Sequence, residues 1–169
     1  MLHLIYGCMF AGKTTALMKQ IHTFKSRGAK CLVITHEIDT RYSEGHISTH
    51  DNVHMKSVST SNLMLTNIVE YDAIFIDEAQ FFYDLAPFAY LCRKHRKFLC
   101  VAGLNANFRG ELFGEMHLLL PHATSLDYLT ATCKCGKPAM YSKRISDGDE
   151  LVNVHATYEP VCHEHRGSD

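Results

Sequence analysis

Short, mostly apolar runs recur along the first 104 residues of the chain. They cover residues 2–6, 30–35, 73–76 and 98–104, and the second has Cys31-Leu32-Val33-Ile34 at its centre. A run that is apolar at nearly every position is typical of a strand buried on both faces, as in a parallel sheet. The pattern therefore predicts four central strands.

Between these runs the apolar positions take a helical spacing. Leu17, Ile21 and Phe24 recur at i, i+4 and i+7 and predict a helix that ends near Gly28. A second helix is predicted after Asp84, a suitable N-terminal capping residue. Strands that alternate with helices form βαβ units with right-handed crossovers. We therefore expect an α/β fold whose mostly parallel sheet has helices on both faces.

The segments between these elements are shorter or more polar. Ser61 is expected to cap a short helix that runs through Ile68. Another short helix is expected from Glu115, with Pro121 as its stop. The polar stretch at residues 43–52 shows no apolar periodicity, and we interpret it as a mobile loop.

The pattern of apolar and polar residues changes at about Leu126. From there the runs are short, half-polar and punctuated by Cys, Gly and Pro, which we interpret as an appended region and not a continuation of the sheet. Asp147-Gly148 indicates a hairpin between residues 139–145 and 151–154. The sequence thus predicts two domains, at residues 1–125 and 126–169.

The first apolar run leads directly into a phosphate-binding sequence. Residues 7–15 fit the pattern G-x-x-x-x-G-K-[ST], and the strand before them and the helix after them are the context that this motif requires. Lys13 is expected to reach the β- and γ-phosphates, and Thr14 to place its hydroxyl on Mg²⁺. A chance match in an ordinary strand–helix turn is the weaker alternative. The predicted nucleotide contacts are Gly7, Cys8, Met9, Phe10, Ala11, Gly12, Lys13, Thr14 and Thr15.

Two carboxylates follow the third apolar run, where ligands bind in open α/β sheets. Asp77 fits the role of an acceptor that organises Mg²⁺ and its waters. Glu78 is then free to act as a general base on a substrate hydroxyl. If the extended backbone continues, the two side chains point to opposite faces and do not serve the same atom. The alternative for Glu78 is a solvated loop carboxylate.

Other side chains are predicted at the same sheet edge. Arg41 follows the second strand, where a guanidinium would neutralise charge on a transferring phosphoryl group, although a surface arginine fits nearly as well. Phe81 and Phe108 offer walls for a flat ring substrate. Phe113 is a further candidate for these walls, but for Phe82 and Phe113 we favour packing beneath the loops.

Cysteine and histidine form two close pairs near the end of the chain. Cys133-x-Cys135 and Cys162-x-x-His165 supply four N and S ligands, a set that suits a closed, structural tetrahedral zinc site. His163 competes as the fourth ligand but is disfavoured by spacing. The alternative is a set of unrelated thiols beside a histidine.

Composition narrows the possible classes of protein. The 169 residues carry a net charge of −1, which gives no electrostatic reason to expect DNA as a partner. No apolar segment approaches the ~18 residues of a membrane span, and the chain begins without signal-peptide regions. Seven cysteines without a disulfide pattern fit a reducing cytoplasm. We expect most of the remaining histidines to be surface residues.

The motifs, taken in order, resemble those of type II thymidine kinases, the cytosolic and viral class. The resemblance covers almost the whole chain. It rests on Gly7-x-Met9-Phe10-x-Gly12-Lys13-Thr14, Asp39-Thr40-Arg41-Tyr42, Thr49-His50-Asp51, Ile76-Asp77-Glu78-Ala79-Gln80-Phe81-Phe82, Ala102-Gly103-Leu104-Asn105 with Phe108, and Leu129-Thr130-Ala131 before the cysteines.

This resemblance implies a P-loop (RecA-like) fold with a C-terminal zinc-binding lasso domain, and a specific activity. The activity is transfer of the ATP γ-phosphate to the 5′-hydroxyl of thymidine, and of deoxyuridine, with Mg²⁺ and a structural zinc. It also implies feedback inhibition by thymidine triphosphate and a homotetramer. The resemblance implies that Glu78 is the catalytic base and that the catalytic cations are Lys13 and Arg41. It implies nucleotide contacts from Asp39, Arg41, Asp77 and Gln80, and magnesium ligands at Thr14 and Asp77.

The implied nucleoside contacts are Met9, Phe81, Leu104, Phe108, Phe113, Ser142, Val152, Asn153 and Tyr158. The implied zinc ligands are Cys133, Cys135, Cys162 and His165.

One segment departs from the family pattern. Many members carry Ile-Gly-Gly in the lasso, where this chain has Val152-Asn153-Val154. A β-branched residue resists the positive φ angles that Gly-Gly permits, so the lasso is expected to hold the nucleoside with different geometry.

Two other functions are considered. Residues 77–80 also resemble a helicase motif, but a nucleic-acid-dependent ATPase of that kind would need a second ATPase-sized domain and a basic track. A non-catalytic nucleotide-binding module would leave Glu78 without an essential role.

Overall fold

The chain alternates strands and helices, as its apolar runs predict. The computed structural model describes residues 1–39, 46–48, 54–148, 150–151 and 156–167. The strands are β1 (Leu2–Gly7), β2 (Cys31–His36), β3 (His46–Ser48), β4 (His54–Lys56), β5 (Val58–Thr60), β6 (Ala73–Ile76), β7 (Phe98–Leu104), β8 (Ser125–Leu129), β9 (Ala131–Thr132), β10 (Pro138–Ala139), β11 (Tyr141–Arg144) and β12 (Tyr158–Val161). The α-helices are α1 (Lys13–Ser26) and α2 (Leu85–Lys94), and 3₁₀ turns lie at Leu63–Leu65, Ala79–Phe81, Met116–His122 and His163–His165.

Six of these strands form one parallel sheet in the order β5-β2-β6-β7-β1-β8. The four predicted strands are the four in its middle. Because parallel strands run in one direction, their carboxyl ends meet at a single edge of the sheet. That edge brings the segment after Gly7 close to Leu104 and to the segment after Ile76.

Each face of the sheet carries its own helix and its own apolar core. On one face Leu4 and Ile76 pack with Phe88 of α2. On the other, Phe75 packs with Leu17 of α1. Neighbouring strand residues point to opposite faces, so an unbroken apolar run supplies both cores at once. The predicted α/β fold with helices on both faces is confirmed.

The sheet extends further along the chain than predicted. The expectation that the region from Leu126 lies outside the sheet is wrong, because β8 pairs in parallel with β1. As an edge strand, β8 is largely exposed, so it needs no continuous apolar run. Its polar residues instead surround a buried histidine: His3 Nδ1 lies 2.6 Å from Ser125 Oγ and His3 Nε2 lies 3.2 Å from Asp127 Oδ2.

The helix predicted after Ser61 is only a 3₁₀ turn, at Leu63–Leu65. Its capping residue is Asn62, and not Ser61: Asn62 Oδ1 accepts a hydrogen bond from the Met64 N–H at 3.0 Å. The side chains of both asparagine and serine suit such a cap, so composition alone does not separate the two neighbours.

The start of α2 is capped by a carboxylate distant in sequence. Asp84 precedes the helix as predicted, but its Oδ2 accepts from the Met64 N–H at 3.0 Å and makes no cap bond to α2. Glu115 Oε2 accepts from the Ala86 N–H instead, at 2.9 Å. The helix predicted from Glu115 is a 3₁₀ turn that contains Pro121 and does not stop at it.

The C-terminal segment forms two small antiparallel pairs, β9 with β10 and β11 with β12. The first strand of the predicted hairpin is present as β11, but it pairs with Tyr158–Val161. Of the expected second strand at residues 151–154, residues 152–154 lie outside the described residues. Within the predicted loop at 43–52, β3 pairs with β4, and residues 43–45 and 49–52 are not described. The two-domain division stays a prediction. No helix in the described ranges combines the length and apolar content needed to cross a bilayer.

Candidate active site

The phosphate-binding loop, residues 7–15, lies at the carboxyl edge of the sheet and leads into α1. Phe10 and Gly12 have positive φ angles of 65° and 82°. Gly7 is enclosed by its neighbours: a Cβ there would lie 2.6 Å from Leu129 O in β8. The first N–H groups of α1 have no partners within the helix, which makes its N-terminus suited to an anion. The loop geometry is compatible with a phosphate cradle, and the contacts of residues 7–15 with phosphate stay a prediction.

Lys13 lies across this loop. Its side chain is buried, with 8% of the residue exposed, and its Nζ donates to Cys8 O at 2.8 Å. A lysine held over the loop in this way is placed to exchange a carbonyl partner for phosphate oxygens.

Thr14 and Asp77 come together as the sequence predicts. The Thr14 hydroxyl donates to Asp77 Oδ2 at 2.8 Å. Burial raises the pKa of Asp77 to about 7 and the nearby Glu78 carboxylate adds to the rise, whereas hydrogen bonds from Thr14 and from the Glu78 N–H act in the opposite direction. A hydroxyl and a carboxylate are the hard oxygen donors that Mg²⁺ prefers, and a bound cation would favour the ionised carboxylate.

Glu78 has a left-handed backbone, with φ 49° and ψ 41°. The strand ends at Ile76, so the extended geometry that would separate the two carboxylates does not continue. The Glu78 N–H donates to Asp77 Oδ1 at 3.1 Å. A non-glycine residue in this conformation costs about 1–2 kcal/mol, and such strain is common at functional sites. The two carboxylates share one region of the sheet edge.

Gln80, predicted as a nucleotide contact, is almost fully buried. Its Nε2 donates to Glu78 Oε2 at 2.6 Å, and its Oε1 accepts from the Leu104 N–H at 3.0 Å. Asp39, another predicted contact, is half-buried, and its N–H donates to His36 O.

Aromatic side chains line the same edge. Phe81 and Phe113 pack edge to face, with ring centroids 5.7 Å apart. Phe108 is half-buried, and the Arg144 Cζ lies 5.6 Å from its ring centroid. Phe82 is fully buried, which confirms that its role is packing.

His36 is a site neighbour that the sequence analysis missed. Its ring lies 4.7 Å from that of Phe82, and burial lowers its pKa. Its Nδ1 accepts from the Ile38 N–H at 3.0 Å. The one signal that points to it is its position at the carboxyl end of a buried strand.

The C-terminal segment contacts the phosphate loop directly. The Met9 N–H donates to Ser142 Oγ at 2.9 Å, and the Cys8 thiol donates to Ala139 O at 3.2 Å. Ser142 is buried, and Tyr158, on the neighbouring strand, is half-buried. The predicted nucleoside contact Ser142 is thus also a tie between β11 and the loop.

The four predicted zinc ligands converge. Cys135 Sγ lies 3.7 Å from Cys162 Sγ, and His165 Nδ1 lies 3.4 Å from the Sγ atoms of both Cys133 and Cys162. A tetrahedral zinc separates its ligands by about 3.8 Å for two sulfurs and about 3.5 Å for sulfur and nitrogen. Backbone N–H groups of Cys135 and Cys162 lower the pKa of Cys133 to about 6, which favours the ligating thiolate. The four residues form one cluster that could hold a metal ion, and their chemistry and spacing fit zinc.

The arrangement also decides between the two candidate histidines. All four ligand atoms of Cys133, Cys135, Cys162 and His165 lie within 4.8 Å of one another, and His163 is not part of the cluster. His163 is exposed and lies against the Tyr141 ring instead.

A sequence model described as thymidine kinase matches residues 1–166 of the chain. The chain belongs to the thymidine kinase family. Among its relatives, the thymidine kinase of Fowlpox virus (strain NVSL) is 38% identical over 173 residues, covering 95% of this chain and 93% of the relative. The thymidine kinase of Amsacta moorei entomopoxvirus is 36% identical, with 95% and 94% covered. That of Sheeppox virus (strain KS-1) is 34% identical, with 95% and 93% covered.

Membership of the thymidine kinase family covers both the phosphate loop and the cysteine cluster, because the match extends from the first residue to Arg166. Three predicted site residues, Arg41, Val152 and Asn153, lie outside the described residues. Their roles stay predictions.

Proposed function

We propose that this chain transfers the γ-phosphoryl group of ATP to the 5′-hydroxyl of thymidine, with deoxyuridine as a second substrate. The observation that carries the proposal is the meeting of three groups at one sheet edge: the phosphate loop, the Thr14–Asp77 pair and the Glu78 carboxylate. Phosphoryl transfer depends chiefly on positioning and on charge stabilisation, and this edge supplies both.

The triphosphate is proposed to lie in the loop at residues 7–15. Main-chain N–H groups at the start of α1 would face its phosphates, and Lys13 would release Cys8 O to reach the β- and γ-oxygens. Thr14 and Asp77 would hold Mg²⁺, which neutralises charge on these oxygens when bound. Arg41 is proposed to neutralise charge on the transferring group, and Asp39 to contact the nucleotide.

Glu78 is proposed as the general base. Its carboxylate accepts the proton of the 5′-hydroxyl as that oxygen attacks the γ-phosphorus. The bond from the γ-phosphorus to its bridging oxygen breaks, and ADP leaves with the electron pair. The products are thymidine monophosphate, ADP and a proton.

The nucleoside is proposed to bind between the aromatic edge and the C-terminal segment. Phe81, with Phe113 behind it, and Phe108 are suited to contact a pyrimidine ring. The remaining proposed contacts are Met9, Leu104, Ser142, Val152, Asn153 and Tyr158.

Zinc at the cysteine cluster is proposed to be structural, since four protein ligands leave no open coordination position. Action in the cytoplasm is also proposed. None of the seven cysteines, all of which are described, forms a disulfide, which supports a reducing environment. A homotetramer and feedback inhibition by thymidine triphosphate are proposed on the family resemblance alone.

The test is phosphorylation of thymidine by ATP–Mg²⁺ in the wild type and in Glu78→Gln, with deoxycytidine as a parallel substrate. We expect Glu78→Gln to lower kcat by a factor of about 10²–10⁴ while ATP still binds. Glu70→Gln is the matched control, because Glu70 is an exposed glutamate in the turn before β6, at the opposite end of the sheet. If ATP binds but no nucleoside is phosphorylated, the proposed function is wrong.

A further inference from the structure

Gln80 is the most deeply buried polar residue beside the reacting groups, with 1% of its surface exposed. Both ends of its amide already have protein partners, as described above. Because only 1% of the residue is exposed, a nucleotide could reach the second N–H or the second oxygen lone pair of this amide only after the surrounding groups move. The geometry therefore speaks against the predicted nucleotide contact.

The donor end of the amide holds the Glu78 carboxylate. The distance from Nε2 to Glu78 Oε2 is 2.6 Å, which is short for an N–H donor. The left-handed backbone of Glu78 does not by itself fix where its side chain points. The bond from Gln80 therefore restrains the orientation of this carboxylate.

The acceptor end holds the main chain where β7 ends. Its Oε1 accepts from the Leu104 N–H at 3.0 Å, one residue after Gly103. The two partners also fix the orientation of the amide, because a carboxylate requires a donor and an N–H requires an acceptor. One side chain thus joins the candidate base to the proposed nucleoside pocket.

Two glycines lie close to this residue, one beside its main chain and one beside its amide. A Cβ at Gly114, where φ is 61°, would collide with the main-chain carbonyl of Gln80. A Cβ at Gly103 would lie 3.1 Å from Gln80 Oε1 and 3.0 Å from Met116 Sδ. The enclosure leaves the amide little freedom to turn away from Glu78.

We propose that Gln80 is a positioning residue, which aims the Glu78 carboxylate at the 5′-hydroxyl and ties it to the strand end at Leu104, without contacting the nucleotide. This inference rests on the proposed role of Glu78 as the base. It assigns to Gln80 a role different from the one that the family resemblance implies.

The test is a double-mutant cycle that combines Gln80→Met with Glu78→Gln. Methionine keeps the length of the side chain but offers no amide donor. We expect Gln80→Met to lower kcat by about 10- to 100-fold, the effect of one hydrogen bond to a charged group, with KM for ATP within about twofold of wild type. In the Glu78→Gln background the same change should have little further effect, because the base is already absent.

Asn107→Leu is the matched control. Asn107 is another buried amide that holds a carboxylate: its Nδ2 donates to Glu111 Oε2 at 2.9 Å, and its Oδ1 accepts from the Arg109 and Glu111 N–H groups. Removal of this amide should change kcat by the same factor whether or not Glu78 is present. Equal factors for Gln80→Met in the two backgrounds would overturn the proposal, as would a tenfold rise in KM for ATP with kcat unchanged.

A spectroscopic readout separates this inference from the proposed function. The side-chain amide signal of Gln80, assigned by its loss in Gln80→Met, is expected to shift in Glu78→Ala and to show slow hydrogen exchange in the wild type. Slow exchange should persist when ATP–Mg²⁺ is added, even if thymidine proves not to be a substrate. The positioning role would be refuted if the Gln80 amide signal did not shift in Glu78→Ala, or if it changed only on addition of nucleotide.

Discussion

Gly12 and Gly28 form a natural pair for testing how the phosphate loop is shaped. They lie at opposite ends of α1, their φ angles are 82° and 81°, and a Cβ added to either would meet nothing within 4 Å. Alanine at either position therefore adds no clash, and the penalty is the left-handed backbone alone. That penalty is about 1–2 kcal/mol.

Gly28→Ala should lower the free energy of unfolding by this amount, and Gly12→Ala should lower it by less, because its strain is relieved in the nucleotide-free protein. For a chain of this size the loss corresponds to a fall in Tm of about 2–8 °C. The two variants should differ in ATP affinity. The alanine of Gly12→Ala can relieve its strain only by rotating the start of α1, whose N–H groups must return to their positions when phosphate binds.

We therefore expect Gly12→Ala to raise the Kd for ATP–Mg²⁺ by about five- to thirtyfold, the same 1–2 kcal/mol expressed as affinity. Gly28→Ala should leave this Kd unchanged. Urea denaturation measures the first quantity and isothermal titration calorimetry the second. If Gly28→Ala were as stable as wild type, or if both variants bound ATP equally well, the reasoning would be refuted.

Three further predictions concern the metals and a helix cap. Thr14→Val should weaken ATP binding by about tenfold or more in Mg²⁺ and much less in EDTA, because it removes an oxygen from the proposed Mg²⁺ site; equal losses by calorimetry in both buffers would contradict this. Removal of zinc with a chelator should lower Tm and weaken ATP binding, because Ser142 ties β11 to the phosphate loop. Added zinc should restore both quantities. An unchanged ATP affinity would show that this tie is not needed for binding. Glu115→Ala should lower the free energy of unfolding by about 1–2 kcal/mol, because the carboxylate caps α2, and Glu115→Gln should lower it by less. If both variants had the same urea midpoint as the wild type, the capping role would be contradicted.

Sequence patterns predicted the centre of this fold because the physics there is local. A strand buried on both faces has no place for polar residues, so β6 coincides with its apolar run, Ala73–Ile76. The phosphate loop is equally local, since its glycines, lysine and threonine act within one short, continuous segment. The paired cysteines and His165 were found because metal ligands impose spacing.

The features that the sequence did not predict correctly involve residues whose partners are distant in the chain. β8 reads as half-polar because its Ser125 and Asp127 surround His3, which lies at the other end of the chain. Glu115 caps a helix that begins at Leu85, and no local pattern marks it. Gln80 belongs to a familiar motif, but its partner Leu104 is visible only once β6 and β7 lie side by side.

The position of β1 in the sheet has a consequence for how the protein folds. The strand that carries the phosphate loop precedes both of its neighbours in the chain: it pairs with β7 and β8, and the hydrogen bond from Thr124 Oγ1 to Leu2 O spans 122 residues. To form pairings this distant, the chain must close long loops, at a cost in entropy, before the strand contacts stabilise the fold, and this makes folding slow. A nascent chain that ends before Phe98 lacks both neighbours of β1. The phosphate loop is therefore synthesised well before the two strands that hold β1 in the sheet, and it becomes able to bind ATP only after they have formed.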